Sequence, residues 1–455
     1  MIDNIKLANY KSFFADQVKE AIDEQQKINR SQMRNLFKTG ELSLAYVDSI
    51  QHETGMIILK CPRRMAPRLK VLKGVCIIKK GAKQALGEHV TEWICRWDEF
   101  VDNKDFHSSG SDMTPMYYVH TGDSNYDYVA CSGFSFKLYD ILSKALVDGK
   151  SLSLIVHNPF PPVEYFCNLA SYMDAFSSND ELNLEPTIDY EEWTPEELAF
   201  DEQKPTGISD TIIDTLANEH CCIVQGPPGT GKSYTIASVI SSYLDAGKTV
   251  CVTTMANKGL IELIKQKPLQ KYVKEGRVSK TNLSIDERKQ VSGVKAASAD
   301  LQVPGGEMLC ATNYQLSSVF SEKKMTLYGL PQYDLVVIEE ASQAFLTAIV
   351  AFKQLGIDCL IVGDPMQLPP IVKLNNPQYN SWNVATQVEG LKSMVLGTSI
   401  KSYRIVTTFR LTSRSASLTK CFYGNRFVSV KQDYLDFTKA NSVLFPQDGG
   451  VLYHC

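Results

Sequence analysis

Gly226-Pro227-Pro228-Gly229-Thr230-Gly231-Lys232-Ser233 is the stretch that decides the fold. An apolar run, Cys222-Ile223-Val224, precedes it, and Ile236, Val239, Ile240, Tyr243 and Leu244 follow it at helical spacing. A strand, a glycine-rich turn and a helix in that order make a phosphate cradle. The glycines let backbone amides curl around the phosphates, and the helix N-terminus adds the positive end of its dipole. In such a cradle Lys232 reaches the β- and γ-phosphates and the Ser233 hydroxyl ligates Mg²⁺.

Downstream, four more short apolar runs are separated by helical stretches: Val250-Cys251-Val252-Thr253, Met308-Leu309-Cys310-Ala311, Leu335-Val336-Val337-Ile338 and Cys359-Leu360-Ile361-Val362. Continuous apolar runs of this length read as strands buried on both faces of a parallel sheet. The fourth run leads into Glu339-Glu340. Two carboxylates at the C-terminal end of such a strand sit where ligands bind in open α/β sheets. One, Glu339, can hold the metal shell, and the other, Glu340, can orient an attacking water. The fifth leads into Gly363-Asp364-Pro365-Met366-Gln367-Leu368-Pro369-Pro370, where Gln367 is placed to bond the γ-phosphate and report its loss.

Upstream of residue 206 the texture differs. Tyr10, Phe13, Phe14, Val18 and Ile22 recur at helical steps, with Gly40 as a stop, so residues 1–40 read as a helix, either packed on its own domain or bracing two. Leu42–Val47, Met56–Leu59, Val75–Ile78, Trp93–Trp97 and Tyr126–Val129 are β-branched or aromatic runs broken by turn residues, which suggests a small sandwich or barrel over 41–158. Its early part is basic: Lys60, Arg63, Arg64, Arg68, Lys70, Lys73, Lys79, Lys80 and Lys83 make either a solvated face or a nucleic-acid surface. From 159 to 205 a helical and acidic linker is expected, because ten acidic residues and no Lys or Arg lie between Asp180 and Glu202.

The whole chain of 455 residues carries 47 basic against 51 acidic side chains, a net charge of −4. Any nucleic-acid site is therefore a local basic groove on a mildly acidic body. Its 12 cysteines include no Cys-x-x-Cys pair, which argues against a zinc ribbon or disulfide scaffold and fits a reducing, cytoplasmic setting. Met1-Ile2-Asp3-Asn4 lacks a signal pattern, and no apolar run approaches the roughly 20 residues of a membrane span. No Asn-Lys-x-Asp element speaks for guanine reading.

Together, Gln225 to Ser233, Glu339-Glu340-Ala341-Ser342-Gln343 and Gly363-Asp364-Pro365-x-Gln367-Leu368-Pro369-Pro370 resemble the superfamily 1B helicases of the up-frameshift type, which include the nonsense-mediated decay helicase and senataxin. The motif likeness runs from Thr206 to Phe427. It implies an α/β P-loop NTPase with a RecA-like parallel sheet, an N-terminal helical stalk and a small accessory β-barrel. The first RecA-like domain would span 206–395, and 396–455 would begin a second one, left incomplete. A further C-terminal portion or a second subunit would then complete the ATP cleft. The implied ligands are ATP, Mg²⁺ and single-stranded RNA or DNA.

By the same likeness Gly226, Pro227, Pro228, Gly229, Thr230, Gly231, Lys232, Ser233, Gln343 and Phe409 bind ATP, with Phe409 covering the adenine. Ser233 and Glu339 hold the metal. Lys232, Glu340, Gln367 and Arg410 are catalytic, with Arg410 reaching across the cleft to the γ-phosphate. Thr254, Asn257 and Thr312 touch the nucleic-acid backbone, contacts that suit short hydroxyl and amide side chains. Two departures stand out. Glu339 replaces the usual Asp, and no Gln lies between Thr206 and Val224 to read adenine, with Ser209 or Asp210 near its place. The activity implied is an ATP-driven helicase or translocase. The alternative is a nucleotide-dependent binding or switch protein that grips nucleic acid without unwinding it.

Overall fold

The computed structural model describes residues 4–32, 34–36, 43–51, 53, 56–62, 71–72, 75–78, 114–119, 125–131, 153–156, 163–184, 194–281, 283, 285–298, 300–321, 324, 329–372 and 382–431. The chain forms two compact units. One comprises Met1–Ala15, Glu164–Leu283 and Glu287–Cys455, and the other Asp16–Val163 with Ser284–Asp286.

The first unit is built on a nine-stranded parallel sheet. From one edge to the other its strands are Lys295–Ala296, Val278–Lys280, Met308–Thr312, Val250–Thr254, Tyr333–Ile338, Gly356–Gly363, Cys221–Gln225, Lys401–Ile405 and Glu196–Leu198. The five expected strands are adjacent at its centre. Their side chains alternate between two cores. Cys221, Ile223, Cys251, Leu309, Val336, Ile338, Cys359 and Ile361 enter one. Cys222, Val224, Val250, Val252, Cys310, Leu335, Val337, Leu360 and Val362 enter the other. Both faces are covered, so a period of two is written in apolar residues throughout. The fold is that of a RecA-like P-loop NTPase.

Four strands were not foreseen. Glu196–Leu198 lies inside the stretch expected to be acidic linker, and it pairs with Tyr403–Ile405 at the sheet edge. Lys401–Ile405 begins past 395, the expected end of the first lobe, yet it pairs with Cys222–Gln225 and buries Tyr403 and Ile405. This sheet, and with it the P-loop's own strand, is supported from beyond that boundary.

The helix Lys232–Asp245 that follows the P-loop buries Ile236, Ala237, Val239, Ile240, Tyr243 and Leu244. Each large side chain among them contributes on the order of 1.5–3 kcal/mol. Its far end is anchored by the Tyr243 hydroxyl, which donates to Asp358 Oδ2 at 2.6 Å, while His220 Nδ1 lies 2.8 Å from Asp358 Oδ1.

The N-terminal helix spans Asn4–Arg30, and the Ser31 hydroxyl caps its end by donating to the Lys27 carbonyl at 2.8 Å. It stops short of Gly40, and residues 37–42 lie outside the described residues. Leu7, Tyr10, Phe13 and Phe14 are buried with Tyr165 and Phe345 in the first unit's core, so this end of the helix packs on its own domain. From Asp16 onward it is grouped with the second unit.

The second unit carries a seven-stranded antiparallel sheet in the order Val71–Leu72, Thr114–Val119, Tyr126–Cys131, Met56–Pro62, Ser43–Gln51, Ser153–Val156, Val75–Ile78. Val47, Leu59 and Ala130 are buried in it. Of the basic residues singled out above, Lys60 lies 4.2 Å over the Tyr126 ring. The other eight, and Trp93–Trp97, lie outside the described residues. Among the described residues no helix is long and apolar enough to cross a membrane.

Candidate active site

The carboxyl ends of Cys221–Gln225, Gly356–Gly363 and Tyr333–Ile338 sit side by side in the sheet, and each delivers one expected motif. They open into a cavity of about 1020 Å³ lined by Pro228 to Ser233, Glu339, Glu340, Ser342, Asp364, Gln367, Phe409 and Arg410, among others.

The P-loop is tightly wound. A Cβ on Gly226 would stand 2.7 Å from both Lys232 Cγ and Thr230 Oγ1. Gly229 has φ +79°, and a Cβ there would stand 2.2 Å from Arg410 Cβ. The strand Thr407–Thr412 runs along the loop: Phe409 N–H donates to the Gly229 carbonyl at 2.7 Å, and the Thr408 hydroxyl to the Pro228 carbonyl at 3.3 Å. Arg410 and Phe409 are therefore held against the loop by a backbone bond at Phe409 and the Thr408 hydroxyl. Phe409 also meets Phe200 edge-on, with ring centroids 5.0 Å apart.

Lys232 donates to the carbonyls of Gly226 and Pro227. Burial holds its ammonium below the ordinary lysine range, against the pull of Asp364 and Glu339. Ser233 and Glu339 meet directly: the serine hydroxyl donates to Glu339 Oε1 at 3.1 Å. The second oxygen, Oε2, is buried with no partner. Burial pushes this carboxyl up to about 7, the Ser233 bond opposes the rise, and Glu340 adds to it. An unpartnered buried carboxylate oxygen beside a hydroxyl fits Mg²⁺, which is bound by one or two carboxylates together with substrate phosphates rather than by a protein cage. No cluster of three or more His, Cys, Asp or Glu suited to a metal occurs among the described residues.

Glu340 has φ 52°, a left-handed conformation rare outside glycine that concentrates at functional sites. Its Oε2 accepts from the Thr254 hydroxyl at 3.4 Å. Asp364 is buried and gathers three donors: Met366 N–H at 3.1 Å, Gln367 Nε2 at 3.3 Å and the Tyr423 hydroxyl at 3.1 Å. Ser342 lines the cavity, whereas Gln343, Gly226 and Pro227 do not. Gly226 and Pro227 act through their carbonyls on Lys232. At the other end Ser209 lines the cavity, but its hydroxyl donates to the Thr206 carbonyl at 2.8 Å, and Asp210 accepts from the Thr206 hydroxyl at 2.9 Å.

The expected nucleic-acid residues lie further along the same sheet edge. Thr254 and Thr312 are register partners on adjacent strands, and both are buried. Asn257 is exposed at the start of the helix Asn257–Ile264. Phe200 was not singled out from sequence, and Asp364 and Tyr423 fell within the motif likeness without a role of their own. Phe200 sits in what read as linker, and Tyr423 lies 59 positions from the carboxylate it touches.

Residues 209–373 match the family model described as an AAA domain. The "DNA replication ATP-dependent helicase/nuclease dna2" of Schizosaccharomyces pombe is 29% identical over 245 residues, which cover 50% of this chain and 16% of that protein. The corresponding DNA2 protein of Saccharomyces cerevisiae is 26% identical over 205 residues, 42% of this chain and 12% of that one. The chain thus spans less than a fifth of the length of these relatives. Among solved structures, the Pif1 helicase from Candida albicans is 17% identical, with a TM-score of 0.25 over 44% of this chain and 38% of that one. Motifs, sheet and matched residues agree on a P-loop ATPase domain similar to those of superfamily 1 helicases.

Proposed function

We propose that the chain is the ATPase portion of a helicase-type motor that hydrolyses ATP in response to single-stranded nucleic acid. The observation that carries this is the meeting of Ser233 with Glu339 at 3.1 Å in a cavity also lined by Lys232, Glu340, Gln367 and Arg410. Magnesium bound with the nucleotide at Ser233 and Glu339 would supply positive charge to the phosphates. Lys232 would exchange its two loop carbonyls for phosphate oxygens. Glu340, held by Thr254, would orient the attacking water. Gln367, tied to Asp364, would contact the γ-phosphate, and Arg410, packed against Gly229 of the loop, would reach it as a cation. Phe409 and Phe200 both line the cavity and would offer the base aromatic surface to stack on.

The up-frameshift type is the finer form of this reading, supported by the order and wording of the three motifs. DNA is the favoured strand, supported by the printed names of the two yeast relatives. The test is steady-state ATP hydrolysis with and without single-stranded DNA or RNA, alongside strand displacement. Strand-stimulated turnover is the expected result. Nucleotide binding with unstimulated or absent turnover would instead favour the switch reading.

A further inference from the structure

Lys280 ends the strand Val278–Lys280, next to Met308–Thr312, and is wholly buried. A buried ammonium must have all three protons bonded. Lys280 Nζ donates to Asn257 Oδ1 at 2.7 Å, to the Thr281 carbonyl at 3.2 Å and to Glu287 Oε1 at 3.3 Å. The three acceptors account for the three protons.

The consequence falls on Asn257. An ammonium has no lone pair, so the atom facing it must be the amide oxygen, and that chemistry fixes which way the Asn257 amide is turned. Asn257 is exposed, at the first position of its helix, and its Nδ2 has no partner among the described residues. The amide therefore turns its NH₂, with two N–H donors, away from Lys280, which takes one of the oxygen's two lone pairs. Base edges mix donors and acceptors, whereas a phosphate offers acceptors alone.

We infer that Lys280 is a positioning residue: it locks the Asn257 amide so that its NH₂ donates to a phosphate oxygen of a bound single strand, while its own charge stays buried against Glu287. This rests on the motor reading above and gives it a chemistry of grip, a neutral donor to the backbone with no base discrimination.

Three variants of the full chain test it, each measured against fluorescein-labelled oligothymidylate and oligouridylate over a salt series, with ATP affinity as the control. Asn257→Ala should weaken strand binding by about tenfold to a hundredfold, the usual worth of a hydrogen bond to a charged group, without changing ATP affinity. The slope of log affinity against log salt should also be unchanged, because a neutral donor displaces no counterion. Lys280→Met should weaken binding similarly, again at unchanged slope, and should add nothing on the Asn257→Ala background. A reduced slope in Lys280→Met, or additive losses, would mean that Lys280 meets the strand itself and overturns the inference. If Lys280→Met fails to fold, Asn257→Asp carries the test: it keeps an acceptor for Lys280 but turns the outward donor into an anion. Its thermal unfolding should match wild type or rise while strand binding is lost. Wild-type-like binding by Asn257→Ala or Asn257→Asp overturns the inference and leaves the motor reading intact. Failure of the wild-type chain to bind either oligonucleotide sinks both.

Discussion

Glu339→Gln is the substitution whose effect can be worked furthest from the structure. The carboxyl is 7% exposed, accepts one bond from Ser233 and keeps one oxygen buried and unpartnered. Burial, opposed by Ser233 and reinforced by Glu340, moves it from an ordinary 4.5 to about 7. The folded protein therefore keeps a proton that the unfolded chain releases. Below pH 4.5 both states are protonated and the group is neutral to stability. Between pH 4.5 and about 7 stability falls, because only the unfolded chain gains by ionising, and above that the loss is complete. At about 1.4 kcal/mol per pH unit, the span amounts to roughly 3 kcal/mol. Glutamine cannot ionise. The stability of Glu339→Gln relative to wild type should therefore rise by about that amount from acid to mildly alkaline pH, whatever constant offset the buried amide adds. Urea unfolding across this range, without nucleotide or magnesium, measures it. Magnesium with a non-hydrolysable ATP analogue should then raise the wild-type midpoint more than the variant's. A difference that does not vary with pH would refute the reasoning, since Glu339 would then be ionised alike in both states.

Lys232→Ala removes the cation held over the loop carbonyls and should weaken a fluorescent ATP analogue by about tenfold to a hundredfold in direct titration, with equal affinity placing the nucleotide elsewhere. Glu340→Gln should leave that affinity intact and cut hydrolysis by about a hundredfold or more, read as steady-state phosphate release. If it turns over like wild type, Glu339 takes the role. Tyr423→Phe removes one of the donors to Asp364 and should lower strand-stimulated turnover through Gln367, with nucleotide affinity unchanged. A parallel loss of affinity would mean a general collapse of the cavity.

The centre of the fold was legible because burial on both faces leaves no polar residue to blur a strand. Val336 and Val337 point into different cores, yet both read as apolar. The edges obey other rules. Glu196–Leu198 is an edge strand two-thirds acidic, and its identity comes from pairing with Tyr403–Ile405, some two hundred positions away in the chain and invisible to local pattern. Lys401–Ile405 does alternate, burying Tyr403 and Ile405, but two charged residues in five masked that signal.

The site divides along the same line. Whatever the chemistry demands at one point in the chain could be read: a lysine and serine at the start of a helix, and carboxylates at the ends of buried strands. Whatever arises between distant segments could not. That Thr254 turns its hydroxyl to Glu340 follows from the adjacency of Val250–Thr254 and Tyr333–Ile338, which only the sheet order supplies. The same adjacency places Met308–Thr312 and then Val278–Lys280 next along the carboxyl edge. A single edge thus runs from the P-loop through Glu340 and Thr254 to Asn257 and Lys280. Thr254, expected at the nucleic-acid strand, also donates to Glu340, the carboxylate proposed to orient the attacking water, and it lies three residues before Asn257. A shift of that short segment on gripping a phosphate would therefore reach Glu340 through one hydroxyl. That hydroxyl gives strand binding a physical link to the carboxylate proposed to orient the attacking water.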